Sequence, residues 1–261
     1  MRTRIIMGAA FAVGAVLLIV LGGPWFFGAV LILGLIGVSE FYRITLQQRP
    51  VVLAGFLSLA AALTAAWYGS SAAFLGALGL SVLLSFGLGL VGGPKPGVTV
   101  RIAVTVLGVV YLGLGFGALL LMRRLDDGMA LVLTVVFGTW ASDTVAYFSG
   151  RFFGQTPMTP VLSPNKTWEG FAGGVIGTLV LVEFIGLYTV LTPMQSLYLG
   201  LVIALVAPVG DLFESLIKRD AQIKDAGTLF PGHGGVLDRF DALLFVSVAA
   251  YFFATQVLGP A

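Results

Sequence analysis

The chain has no cysteine, a single histidine, and charge on only 10% of its 261 residues. Without cysteine there is no disulfide framework, no thiolate nucleophile and no sulfur-ligated metal site, and the redox compartment is left open. The scarcity of charge excludes an ordinary soluble domain, in which about a quarter of residues are charged. No P-loop pattern occurs, nor any repeat or low-complexity tract beyond a glycine and alanine bias. Gly87, Gly89 and Gly92 spell GxGxxG, but they lie in an apolar helical run with no strand before it, so a dinucleotide site is not expected.

What is abundant is apolar surface: 58% of residues are hydrophobic, and the mean hydropathy is +1.04. A helix crossing roughly 30 Å of hydrocarbon needs about 20 apolar residues, because its backbone polar groups must be satisfied internally. Nine such runs are present, approximately Ile5 to Gly22, Trp25 to Thr45, Val51 to Trp67, Ala72 to Val91, Val98 to Met122, Met129 to Ser149, Trp168 to Leu191, Leu197 to Lys218 and Ala242 to Val257. The expected fold is all-α, a polytopic integral membrane protein of about nine transmembrane helices. The first run follows Met-Arg-Thr-Arg and ends in Gly22, Gly23 and Pro24 without a clear small-x-small cleavage site, so it is expected to be a retained helix and not a signal peptide.

Of the 14 Lys and Arg residues, Arg123 and Arg124 alone fall on one side of this nine-helix arrangement. Arg2, Arg4, Arg43, Arg49, Lys95, Arg101, Arg151, Lys166, Lys218, Arg219, Lys224 and Arg239 fall on the other. The positive-inside bias then places the N-terminus in the cytoplasm and the C-terminus outside, as expected for a multi-pass protein of the cell (inner) membrane. Residues 1–261 read as one membrane domain, with 1–125 supplying scaffold helices and 126–261 the catalytic helices and cytoplasmic loops. Glycine pairs such as Gly113/Gly117 and Gly173/Gly177 read as places of close helix packing in lipid.

Of the 12 acidic residues, all but Glu40, Asp126 and Asp127 lie between Asp143 and Asp241. A carboxylate within a membrane helix is costly and faces a polar cavity or a partner. Asp143 precedes Arg151 by eight residues and Asp211 precedes Lys218 by seven, which puts both roughly 10 to 12 Å below the basic ends of their helices. Asp211, Glu214, Ser215 and Lys218 share one helical stripe that cannot face lipid, and read either as a self-neutralising packing network or as an ion site opening to the cytoplasm. Glu183 is expected deep in its helix as a structural hydrogen-bonding partner, and Glu40 and Glu169, near helix ends, are expected to be solvated or capping.

Charge concentrates in "SLIKRDAQIKDAGTLFPGHGGVLDRFD", Ser215 to Asp241, which also holds the one histidine. Lys218, Arg219, Lys224 and Arg239 alternate there with Asp220, Asp225, Asp238 and Asp241, around a turn of Pro231, Gly232, His233, Gly234 and Gly235. Such a turn brings backbone N–H groups close to an anion. Carboxylates without histidine or cysteine companions suit Mg²⁺, and Mg²⁺ beside Lys and Arg makes a phosphate site.

At this spacing Ser215, Lys218, Arg219, Lys224, Asp225, His233, Gly234, Gly235, Asp238, Arg239 and Asp241 resemble the signature of the phosphatidate cytidylyltransferase family. "SDTVAYFSGR" and "LSPNKTWEG" resemble its upstream segment, although Gln155 and Asn165 stand where lysines are expected. The resemblance implies a Mg²⁺-dependent reaction of CTP with phosphatidic acid, giving CDP-diacylglycerol and pyrophosphate for phospholipid biosynthesis, in a homodimer with no nucleic-acid partner. It implies Asp211 and Asp238 as metal ligands, with Ser215, Lys218, Arg219, Lys224, Asp225, His233 and Arg239 in the nucleotide and phosphate site.

Gly234, Gly235 and Lys166 join the expected substrate-binding set, and Asp143 joins the expected ligands. A phosphate monoester needs no base to attack, so Asp143, Asp211 and Asp238 are expected to hold metal and not to accept protons. A CTP-dependent lipid kinase, or a transporter using intramembrane carboxylates, would also place acids among apolar helices.

Overall fold

The computed structural model describes residues 2–91, 96–227 and 234–257, with side chains from residue 8 onward. Among them are nine α-helices: α1 (Arg2–Leu21), α2 (Gly23–Ile44), α3 (Val52–Tyr68), α4 (Ser71–Gly89), α5 (Val98–Arg123), α6 (Gly128–Phe153), α7 (Trp168–Gly186), α8 (Pro193–Asp220) and α9 (Leu237–Val257). Seven are long and apolar enough to cross a membrane, while α3 and the apolar part of α1, Gly8–Leu21, are shorter. The protein is an all-α polytopic membrane protein, with one helix for each of the nine apolar runs.

Boundaries differ where local chemistry outweighs apolarity. The seventh apolar run continues to Leu191, but α7 stops at Gly186. The stop is set by the next helix: Thr192 and Gln195 exchange reciprocal side chain to backbone hydrogen bonds of 2.9 and 3.3 Å, a capping box, with Pro193 at the first helical position. Glu183 consequently sits in the last turn of α7, half-buried. Two short strands were also not foreseen: β1 (Pro157–Thr159) and β2 (Ser163–Thr167) pair antiparallel, with Pro157 opposite Thr167 and Thr159 opposite Ser163.

The chain divides into two compact units, residues 1–124 with 221–239, and residues 125–220 with 240–261. In the first unit α5 packs against α2, α3 and α4, and α1 against α2. Its core is Phe41, Leu59, Leu63, Leu112 and Phe116, each fully enclosed. In lipid such burial gains no hydrophobic free energy between helices, so close packing has to hold them. Small residues supply it: a Cβ on Gly113 would strike Leu78, and one on Gly117 would strike Phe74.

In the second unit α6, α7 and α8 pack on one another. Gly173 seats the Ser149 side chain, Gly174 faces Ser142 and Ala146, and Gly177 seats Val145, so α6 and α7 meet along a seam too narrow for side chains. Gly210 of α8 does the same for α9, because a Cβ there would lie 2.5 Å from the Asp241 carbonyl oxygen. The Phe213 and Phe245 rings, 5.2 Å apart, close that contact one turn further on.

Candidate active site

The site in the second unit begins with a defect in α8. Pro208 lies inside the helix and has no N–H to donate, so a carbonyl one turn back loses its intrahelical partner. Three residues on, Asp211 projects from the same helix. Both residues line a cavity of about 500 Å³, together with Asp143, Tyr147 and Arg151 of α6, and Asn165 and Lys166 of β2. Asp143 and Asp211, read as lying at similar depth, are thus brought to one cavity.

Lys166 reaches the cavity because the hairpin is pinned to the start of α7. Thr167 caps that helix through Gly170 N–H at 3.1 Å. Glu169 Oε2 accepts from the N–H groups of Gln155 and Thr156, each at 3.2 Å. Glu169, expected to be solvated or capping, instead holds the two residues that lead into β1, while Thr167 caps α7. From there the Lys166 ammonium pairs with Asp211 Oδ2 at 2.5 Å, the two side chains 25% and 33% exposed. Ser215 donates to Asp211 Oδ1 at 3.4 Å. One turn further along α8, Lys218 pairs with Glu214 at 2.5 Å, and the Glu214 side chain is 1% exposed.

The stripe of Asp211, Glu214, Ser215 and Lys218 is therefore real, but it divides. Glu214 and Lys218 form an enclosed ion pair, whereas Asp211 opens on the cavity. Asp241 of α9 lies in the electrostatic field of Asp211, Glu214 and Asp143. Sequence reasoning placed Glu214 on the Asp211 stripe and Asp241 in the charge-rich stretch; that Asp143, Glu214 and Asp241 act on one another is a property of the packing of α6, α8 and α9.

The remaining expected residues are distributed as follows. Arg219 is exposed, and its Nε donates to the Leu162 carbonyl at 3.4 Å. Lys224 and Asp225 are exposed in the first unit, as is Arg239 in the first turn of α9. Asp238 Oδ2 accepts from Ala226 N–H at 2.9 Å and from Gly235 N–H at 2.8 Å. Gly234 has φ of 81°, a left-handed conformation, and a side chain there would strike the Asp238 carboxylate. His233 lies outside the described residues.

Glu40, near the end of α2, was expected to be solvated or capping. It is neither solvated nor a cap on its own helix: it is 3% exposed, and its Oε2 accepts from Leu237 N–H at 2.9 Å across 197 residues of sequence.

The donor set bears on which cation would fit. Asp143 and Asp211 offer hard carboxylate oxygens on the cavity wall, with the hydroxyl of Ser142 on the same wall. Among the described residues no three Asp, Glu, His or Cys side chains converge on one point. That suits Mg²⁺, which takes one or two carboxylates and completes its shell with water and substrate phosphates, better than an ion requiring an all-protein cage.

The cytidylyltransferase family matches residues 2–257. A phosphatidate cytidylyltransferase of Bacillus subtilis (strain 168) is 41% identical over 150 residues, 56% of this chain and 55% of that protein. One of Mycobacterium tuberculosis (strain ATCC 25618 / H37Rv) is 39% identical over 171 residues, 63% of this chain and 51% of that protein. One of Helicobacter pylori is 44% identical over 141 residues, 54% of this chain and 52% of that protein. The chain spans about half the length of the curated relatives it matches.

Proposed function

The chain belongs to the cytidylyltransferase family, and on that premise we propose that it transfers the cytidylyl group of CTP to phosphatidic acid, releasing pyrophosphate and forming CDP-diacylglycerol. The observation that carries this reading is the cavity among apolar helices in which Asp143, Asp211, Lys166 and Arg151 meet. An intramembrane cavity of mixed charge suits a lipid headgroup that bears phosphate.

The chemistry asks little proton transfer of the protein. The second pKa of a phosphate monoester is about 6, so the lipid phosphate is largely a dianion at neutral pH and already a nucleophile. One of its oxygens forms a bond to the α-phosphorus of CTP. The bond from that phosphorus to the α,β-bridging oxygen breaks, and its electron pair leaves with pyrophosphate. No side chain has to take up a proton.

The obstacle is repulsion between two anions in a partly dehydrated site, where charge interactions count for more than in water. Lys166 and Arg151 place positive charge on the cavity wall. Arg219, exposed at the end of the same helix as Asp211, would add to it toward the nucleotide, and Lys218 and Lys224 are proposed for the phosphate site from the motif alone. Asp143 and Asp211 would hold Mg²⁺, which when bound would neutralise charge on the triphosphate and ease departure of pyrophosphate; the metal role of Asp238 is proposed from the motif alone. The carboxylates thus act as cation holders.

CTP and phosphatidate are the proposed partners, the cytoplasmic face of the cell membrane the proposed side, and a homodimer the proposed assembly. Exposed Tyr147 on the cavity wall, with exposed Phe148 and Phe152 on the same helix and Trp168 at the start of α7, suit the headgroup level, where aromatic rings concentrate.

The test uses purified protein in detergent with phosphatidate, Mg²⁺ and CTP labelled either in cytidine or in the γ-phosphate. Cytidine label passing into the organic phase supports the transferase. γ-Label passing into a lipid alcohol would replace it with a kinase, and no transfer of either label would end the enzymatic reading.

A further inference from the structure

Two carboxylates hold one loop of the first unit, and only one of them belongs to the charge-rich motif. Asp238 binds the loop from within, through Ala226 N–H and Gly235 N–H. Glu40 binds it from α2, accepting from Leu237 N–H, the first residue of α9. The first turn of a helix leaves N–H groups without intrahelical partners and carries the positive end of the helix dipole, so an interior carboxylate is matched there by both hydrogen bond and field.

The fit is tight on a second side. A Cβ on either Gly227 or Gly235 would run into the Glu40 carboxylate. The two glycines bracket the loop in sequence, and both α-carbons lie against the same side chain. Below it, Gly37 packs on Leu112 and Val236, which fixes α2 beside the same turn. Glu40 is therefore held by its own helix on one side and holds both ends of the loop on the other.

We propose that Glu40 is a positioning residue for the transfer reaction. Its carboxylate sets where α9 begins, and so where Asp238 and Arg239 stand on the first turn of that helix. This rests on the reading of Asp238 as part of the reactive machinery. The role lies in the scaffold half of the sequence and touches no substrate. It requires a negative charge at a defined reach, which distinguishes it from simple filling of space.

The experiment compares wild type, Glu40→Gln and Glu40→Asp as purified full-length protein, by backbone hydrogen exchange, thermal unfolding and steady-state kinetics. In Glu40→Gln, exchange at Leu237 and Gly235 should rise roughly tenfold or more while the interior of α2 is unchanged, because the opening is local. Turnover should fall roughly 10²-fold, the cost of a displacement of about 1 Å near a reacting centre, with KM for phosphatidate little altered. Glu40→Asp, which keeps the charge, should recover part of that turnover.

Unchanged exchange at Leu237 overturns the clamp. Wild-type turnover in a variant whose melting temperature alone has dropped reduces Glu40 to a structural residue and overturns the positioning role. Wild-type protein unable to transfer cytidylyl groups sinks the proposed function instead, and the exchange data still decide whether the clamp exists. Should Glu40→Gln not accumulate, Gly227→Ala attacks the same contact from the other end of the loop: reduced turnover at an unchanged melting temperature supports the clamp, and full turnover overturns it.

Discussion

Asp211 and Glu214 lie one turn apart on α8 and carry the same charge, but their surroundings divide their work. Asp211 faces the cavity and a Lys166 ammonium that is 25% exposed, and a partly solvated pair of this kind contributes about 1 kcal/mol or less to stability. Asp211→Asn should therefore fold with a near-normal melting temperature and lose turnover by roughly 10²-fold or more, since it removes charge from the point where a cation would be held. A well-folded Asp211→Asn protein with wild-type cytidylyl transfer would end that assignment. Glu214 is the opposite case. Its side chain is 1% exposed and paired with Lys218, so Glu214→Gln removes the charge that this ammonium pairs with, and breaking an enclosed pair costs about 3 to 5 kcal/mol. Thermal unfolding in detergent should show a large drop for Glu214→Gln and recovery when Lys218→Met is added. If the double variant is no more stable than the single one, the pair is not what holds this turn of α8.

At the scale of elements, the hairpin of β1 and β2 is the part most dependent on its neighbours. Two short strands alone are marginal, and here the anchor is Glu169, through Gln155 and Thr156 N–H, with a Trp168 N–H to Thr156 carbonyl bond of 3.0 Å beside it. Glu169→Gln should loosen the hairpin and with it Lys166, raising KM for CTP several-fold more than it lowers turnover, and limited proteolysis should cut faster between residues 155 and 166. Equal proteolysis in both proteins would show that the Thr167 cap suffices. The helices themselves were legible because each needs a long apolar run to satisfy its backbone in lipid. The acids of the cavity were legible because a charge in such a run demands a partner. The hairpin was not, since strands of three and five residues carry no apolar alternation. The end of α7 was signed by Thr192 and Gln195 but masked by apolar residues running up to them. Glu40 was illegible for a different reason: near the end of α2 its local sequence is that of a solvated residue, and only a contact with Leu237 reveals otherwise.

For the whole molecule, the asymmetry of the basic residues leaves two exceptions, Arg123 and Arg124, and the first unit shows what they do. Arg123 Nε donates to the Ile19 carbonyl at 3.1 Å, near the end of α1. Arg124 Nη1 donates to the carbonyls of Ala66 and Gly69, both at 2.8 Å, at the end of α3. Both arginines satisfy carbonyls that helix ends leave open, and both face the negative ends of helix dipoles. Their charge is used inside the protein, so the orientation signal of the other basic residues stands without them, and Arg2, Arg4, Arg43, Lys166 and their companions should face the cytoplasm. The absence of cysteine makes this directly measurable, since any cysteine introduced is the only one in the chain. α6 spans Gly128–Phe153, about 39 Å at 1.5 Å per residue, so its two ends should lie on opposite faces of the bilayer. A cysteine at Ser163, in the hairpin after α6, should react with a membrane-impermeant maleimide only in inverted vesicles. A cysteine at Asp126, before α6, should react in intact cells or right-side-out vesicles. The reverse pattern would turn the proposed site outward, away from cytoplasmic CTP, and labelling of both positions from one side would show that α6 does not cross.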